Sequence, residues 1–252
     1  ETAEYTPEGI GCAQTVRWCV EVRNASASLN NPTVFTYTTS NFLPVENISP
    51  VNDFRLDGER AILTWNFQGD ATHYQVKLGK DQKDMDVVLD WTPRGTVGTG
   101  LVTEGSFTTV NLDHNSRYYW QVNVKKGENT REGEIASFIT ILDNPQNVTP
   151  AKEHLYYEDN GVVRIYWNLM SGIEGMNIYV GTEPANTELI PAYQQFYDVT
   201  VPTYIINPQT ITVKAVYAGL GESTGSTTQV EVVGYATVNG TITDHKNHQA
   251  VE

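Results

Sequence analysis

The chain repeats itself, and that constrains its fold more than any other feature. Arg17-Trp18-Cys19-Val20-Glu21-Val22 is echoed by Tyr119-Trp120-Gln121-Val122-Asn123-Val124. The shift is about one hundred residues, the size of a small sandwich domain. A strand-like run follows each, Thr33-Val34-Phe35-Thr36-Tyr37-Thr38 in one and Ile135-Ala136-Ser137-Phe138-Ile139-Thr140 in the other. Then comes an Asn- and Pro-containing connector, Val45-Glu46-Asn47-Ile48-Ser49-Pro50 against Pro145-Gln146-Asn147-Val148-Thr149-Pro150. The same offset links Ala61-Ile62-Leu63-Thr64-Trp65-Asn66 to Val163-Arg164-Ile165-Tyr166-Trp167-Asn168. It also links Tyr74-Gln75-Val76-Lys77-Leu78-Gly79 to Met176-Asn177-Ile178-Tyr179-Val180-Gly181. Five blocks in fixed order make this a tandem array.

The register of the repeat divides the chain into four parts. Residues 1–49 match only the second half of a unit, 50–142 form a complete unit, 143–234 form another, and 235–252 match neither. A half sandwich exposes sheet edges that invite aggregation. On that ground the sequence reads as a piece of a longer protein, cut inside a domain at each end.

Within each unit the runs alternate apolar and polar with a period of two, as half-buried strands do. Tyr118, Trp120, Val122 and Val124 share one face, while Gln121 and Asn123 share the other and are expected to meet solvent. Trp18 falls on the apolar face of its own run and Trp65 on the core side of its strand. Turn signals lie between the runs: Asp57-Gly58, Gln68-Gly69-Asp70, Lys126-Gly127-Glu128-Asn129 and Asn160-Gly161. No window carries a sustained helical stripe. The expectation is an all-β chain of tandem immunoglobulin-like β-sandwiches, the first incomplete.

Particular residues resemble the fibronectin type III family. That family places a Trp on its second strand, where Trp65 and Trp167 fall, and a Leu before the sixth strand with a Tyr six residues later, matching Leu112 and Tyr118. The resemblance implies that the Tyr packs inward and hydrogen-bonds the connecting loop. In the third unit the pattern puts Ile211 at the Tyr position, and in the first Val16, so the corner bond is not expected there. The terminal run Val238-Asn239-Gly240-Thr241-Ile242-Thr243-Asp244 resembles the opening of a carboxypeptidase regulatory-like domain. Together these look like secreted or surface proteins of the Bacteroidetes, which implies an extracellular or cell-surface setting.

Charge narrows the partners. With 16 Lys+Arg against 30 Asp+Glu the net charge is −14, which argues against a nucleic-acid surface, since phosphate binding needs clustered cations. No apolar run approaches the ~20 residues of a membrane span. The sequence opens on Glu1 rather than Met, with no charged n-region or apolar h-region, so a secretion signal cannot be read from it.

No constellation in the sequence names a catalyst, a cofactor or a metal. There is no Gly-x-Ser-x-Gly elbow and no phosphate-binding glycine loop. The histidines, His73, His114, His154, His245 and His248, lack zinc-like partners apart from the Asp244-His245 and His248 cluster, which has no fourth ligand. Asp81, Asp84 and Asp86, with Asp90 beyond, lie between two strands; they fit a weak calcium site or a solvated loop, and Lys80 and Lys83 favour the loop. Cys12 and Cys19 are close enough in sequence for a local disulfide, the alternative being two unpaired thiols. Four Asn-x-Ser/Thr sequons, at Asn24, Asn47, Asn147 and Asn239, are read as chance in an Asn- and Thr-rich chain under the bacterial resemblance.

The remaining candidate is Leu89-Asp90-Trp91-Thr92-Pro93-Arg94-Gly95, read as a long Gly-rich connection. An indole flanked by Asp90 and Arg94 suits a glycan or an extracellular protein ligand. The competing reading folds Trp91 back over the sandwich edge, as large rings usually are mostly buried. Trp18, Trp65, Leu112, Tyr118, Trp120 and Trp167 are assigned to the cores. The function expected is a non-catalytic spacer and interaction segment. Two alternatives stand beside it: an adhesin acting through Trp91, and accessory modules of an extracellular peptidase or glycoside hydrolase.

Overall fold

Alternating residues need a second layer to bury their apolar face, and the two repeats each supply one. The structure, a computed structural model, describes residues 10, 14–21, 33–39, 41–156, 159–202 and 208–233. These contain no α-helix, and no helix is long and apolar enough to cross a membrane. The chain divides into two compact units, Glu1–Ile141 and Leu142–Glu252.

The first unit begins with a hairpin, β1 (Thr15–Cys19) and β2 (Val34–Thr38), which pairs with no other described strand. The sandwich follows: β3 (Val45–Ser49), β4 (Phe54–Arg55), β5 (Ile62–Phe67), β6 (His73–Asp81) and β7 (Asp84–Pro93). Next come the small hairpin β8 (Thr96–Val97) and β9 (Gly100–Leu101), then β10 (Glu104–Thr108), β11 (Arg117–Lys126), β12 (Asn129–Arg131) and β13 (Ile135–Ile139). One sheet runs β10-β5-β3 and the other β4-β13-β11-β6-β7, with β12 on β11. All pairs are antiparallel except β4 with β13. This is the sheet arrangement of the immunoglobulin-like sandwich.

Between the sheets lie Leu63, Trp65, Val76, Trp120, Val122, Val124 and Phe138, all fully buried or nearly so. Leu112 and Tyr118 are buried with them, Tyr118 stacking on Phe138 with centroids 5.8 Å apart. The Tyr118 hydroxyl accepts the Asp113 N–H at 3.3 Å, closing the corner. The Trp120 indole N–H donates to the Pro50 carbonyl at 2.7 Å, so its one polar atom is satisfied inside the core. Gly105, opposite Trp65, is a steric requirement: a Cβ there would lie 2.3 Å from the indole.

The second unit repeats the plan with β14 (Thr149–Pro150), β15 (His154–Leu155), β16 (Val162–Tyr166), β17 (Gly175–Val180), β18 (Glu183–Pro184) and β19 (Ile190–Pro191). It continues with β20 (Phe196–Thr200), β21 (Gln209–Tyr217), β22 (Gly221–Glu222) and β23 (Ser226–Val232). The sheets run β14-β16-β20 and β15-β23-β21-β17-β18, with β19 on β17 and β22 on β21. Trp167 is buried, as are Ile165, Met176, Ile178, Ile211 and Val213, and its indole donates to the Gln194 carbonyl at 2.9 Å.

Several expectations are corrected. Residues 45–50 are not a joint: Val45–Ser49 is an edge strand paired to β5, and Val45 lies in the core. Residues 144–150 likewise end in a paired strand, β14. Gln121 and Asn123 do not meet solvent but are 6% and 5% exposed, the Gln121 amide donating to the Gly133 carbonyl at 2.7 Å. The corner position also shifts by two residues. Ile211 pairs with Val180 as Trp120 pairs with Leu78, so Ile211 occupies the place of Trp120 and Gln209 that of Tyr118.

Trp18 is the largest correction, for it is not in a core. It is 47% exposed and stacks on Phe35 at 4.7 Å, across β1–β2. The register Trp18↔Phe35 and Val16↔Tyr37 parallels Trp120↔Ala136 and Tyr118↔Phe138, one residue off the block alignment read from the sequence. The hairpin thus repeats the pairing of β11 with β13, while its aromatic face has no described opposing sheet. Cys19 is exposed; Cys12, Asn24 and residues 234–252, with Asn239, His245 and His248, lie outside the described residues.

Candidate functional site

The run around Trp91 is a strand, not a connection. Asp84, Asp86, Leu89, Asp90 and Trp91 all belong to β7, which is ten residues long and forms the outer edge of its sheet. Three Asp residues lower the β propensity of this stretch, which is why it reads as a loop. Pairing with β6 overrides that preference, through three register shifts that accommodate the extra residues. The hairpin closes at Asp81↔Asp84, where the Asp81 carboxylate accepts the Lys83 N–H at 2.9 Å.

Near the far end of β7 the Asp90 carboxylate accepts the Trp91 N–H at 2.8 Å and the Gln75 amide at 3.1 Å. The Trp91 N–H, then Gln75, hold the Asp90 carboxyl below its ordinary value, so it is ionised at neutral pH. Trp91 is half-buried, with the Lys125 ammonium 5.9 Å from its ring centre. An ammonium at that range is attracted by the ring quadrupole, which orients the indole without removing it from solvent. Gln75 and Lys125 are the residues that sequence reasoning missed; the strand pairing of β6 with β7 and β11 brings them in.

Arg94 leaves this group. It is buried, and its Nε donates to the Val102 carbonyl at 2.5 Å while Nη1 donates to the Gly69 carbonyl at 2.5 Å. Its guanidinium also lies 4.3 Å from the Phe67 ring centre. Burial lowers the Arg94 pKa, with Asp70 opposing, but leaves the group charged. The expected ligand-binding Arg94 is instead a buried clasp: its Nε and Nη1 tie the segment after β7 to the turn before β6.

The carboxylates of β7 point to strand chemistry rather than to a metal. Among the described residues no group of three or more His, Cys, Asp or Glu is placed to hold an ion. Asp84 and Asp86 are exposed and, among the described residues, form no ion pair. Val87 and Val88 are exposed beside them, Val87 by 49%. An open groove of about 660 Å³ lies elsewhere, along β3, β5 and β10, lined by Ile48, Thr64, Asn66, Glu104 and Ser106. Asn47, one of the sequons, turns its amide onto the Glu134 carbonyl at 2.8 Å and is committed to the fold.

Compared with known proteins, the sequence matches no family model and no curated protein. Solved structures do resemble it. The FN1–FN3 domains of chicken CNTN1 align over 88% of this chain and 76% of theirs, at 12% identity and a TM-score of 0.33. A two-domain fibronectin type III segment of chicken tenascin aligns over 74% of this chain and 97% of its own, at 13% identity and a TM-score of 0.41. The fibronectin(III)-like modules of Clostridium thermocellum CbhA align over 78% and 100%, at 13% identity and a TM-score of 0.34. The strand order itself establishes the architecture: an all-β chain of consecutive immunoglobulin-like sandwiches.

Proposed function

We propose that the chain is a non-catalytic spacing and interaction segment of a larger secreted or cell-surface protein. Fibronectin type III-like domains commonly serve as spacers or interaction modules, are typically non-catalytic and are often extracellular. The observation that carries the reading is the brevity of the connection. The Ile141 carbonyl accepts the Asn115 N–H at 2.8 Å within the first unit. The Asp143 carbonyl accepts the Tyr217 hydroxyl at 3.0 Å within the second. Only Leu142 lies between these anchors, so the two units follow one another without a separate linker segment. A hydrolysis screen of the whole chain against peptide and glycoside substrates tests the non-catalytic part: no turnover is expected, and turnover by this chain overturns the reading.

A second reading, adhesion, is favoured by the half-exposed Trp91 at a sheet edge. It predicts a shift of Trp fluorescence on binding glycan or matrix protein, lost in Trp91→Ala. No change across such a panel removes it. A role as accessory modules beside a peptidase or glycoside hydrolase domain, and a carboxypeptidase regulatory-like domain beginning near Tyr235, are tested by the parent gene.

A further inference from the structure

The two sandwiches treat the same edge in opposite ways. In the second unit the outer position beside β17 is split into β18 and β19, each two residues long and each ending in a proline, Pro184 and Pro191. Proline cannot donate to a ladder, and a two-residue edge offers nothing to extend. That edge is closed. In the first unit the same position is β7, ten residues with no proline before its last. No described strand pairs with its outer side.

An edge of that length is a template for another extended segment, and its side chains decide which one. β7 reads Asp-Met-Asp-Val-Val-Leu-Asp-Trp-Thr-Pro: three carboxylates and no cation. Asp84 and Asp86 are exposed and unpaired among the described residues, and Asp90 is held ionised. A second copy of this chain laid along β7 would bring Asp against Asp, and like charges directly opposite destabilise a pair. The whole chain, at −14, adds to that repulsion. A segment with Lys or Arg at alternate positions gains instead, its cations facing Asp84 and Asp86 while its intervening apolar residues meet Val87.

We propose that β7 is a strand-addition site for an extended, basic segment of another protein. The proposal rests on the interaction part of the function above and names its partner chemistry. The carboxylates have a double effect: they keep the edge from pairing with itself and select a partner of opposite charge.

The test uses fluorescein-labelled peptides and the whole chain. An alternating Lys–Val peptide is expected to bind and an alternating Glu–Val peptide to bind at least about tenfold more weakly. An alternating Lys–Pro peptide of equal charge, which cannot pair as a strand, is likewise expected to lose about tenfold. Binding should slow hydrogen exchange at the β7 amides, and the double substitution Asp84→Lys and Asp86→Lys should weaken it by about tenfold while Trp fluorescence reports an intact core. Three results would each overturn the proposal: no Lys–Val binding, Lys–Pro binding as tight as Lys–Val, or binding without new protection in β7. None of them bears on the non-catalytic spacer reading, which stands or falls on the hydrolysis screen.

Discussion

At the scale of single residues, the five tryptophans separate by what surrounds them rather than by where they fall in the repeat. Trp65 is 1% exposed and packed among Phe67 and Tyr74, with centroids 6.2 and 5.4 Å away. Trp65→Ala should therefore cost roughly 3–5 kcal/mol of the stability of its unit. Trp18→Ala removes an exposed ring and should change stability by no more than about 0.5 kcal/mol. Urea titration of both variants checks the pair, and equal losses would contradict the placement of Trp18. Arg94→Lys is the sharper case. A lysine cannot reproduce a fork that spans the Val102 and Gly69 carbonyls, so the change should cost about 1–3 kcal/mol although charge is kept. If it left stability intact and weakened a ligand instead, Arg94 would belong to a binding surface after all.

Elements carry the pH dependence. In the second unit β17, β21 and β22 gather around Glu222. Its carboxylate accepts from Asn177 at 2.6 Å and Tyr179 at 2.8 Å, with Lys214 at 3.3 Å. Burial pushes the Glu222 carboxyl up, but these donors outweigh it and hold it below its ordinary value. A depressed folded pKa means the contribution is complete above the unfolded value of about 4.3 and is lost as pH falls through the folded one. At the other extreme, burial, with Asp143 adding to it, pushes the Tyr217 hydroxyl up to about 12. Its contribution is complete below about 10, where the unfolded phenol begins to ionise, and is lost as pH rises toward the folded value. Melting curves should show stability falling at both ends, with Tyr217→Phe reducing the alkaline loss and Glu222→Gln the acid one.

The same elements show which features the sequence revealed. Strands with strict alternation, such as β11 and β21, were readable because one face is apolar at every second position. β7 was not, because its apolar residues are consecutive and its polar ones acidic; only pairing with β6 makes it a strand. The acceptors of Arg94 were equally hidden, since backbone carbonyls carry no sequence signature. Val45–Ser49 looked like a connector because Asn and Pro flank it, though Val45 is a core residue.

For the molecule as a whole, the division at Ile141 and Leu142 predicts two thermal transitions. Trp65→Ala should lower one and leave the other in place, as calorimetry would resolve; a single transition shifted as a whole would mean that the units unfold together. The connection has a further consequence. A protease must draw a stretch of extended backbone into its cleft before it can cut, and loops that yield such a stretch are where nicking concentrates. Between the carbonyls of Ile141 and Asp143, both engaged in hydrogen bonds, lies only Leu142, itself buried. The boundary between the units, usually the first place a multidomain chain is cleaved, should here be among the last, and trypsin or subtilisin should cut within loops before it releases either sandwich.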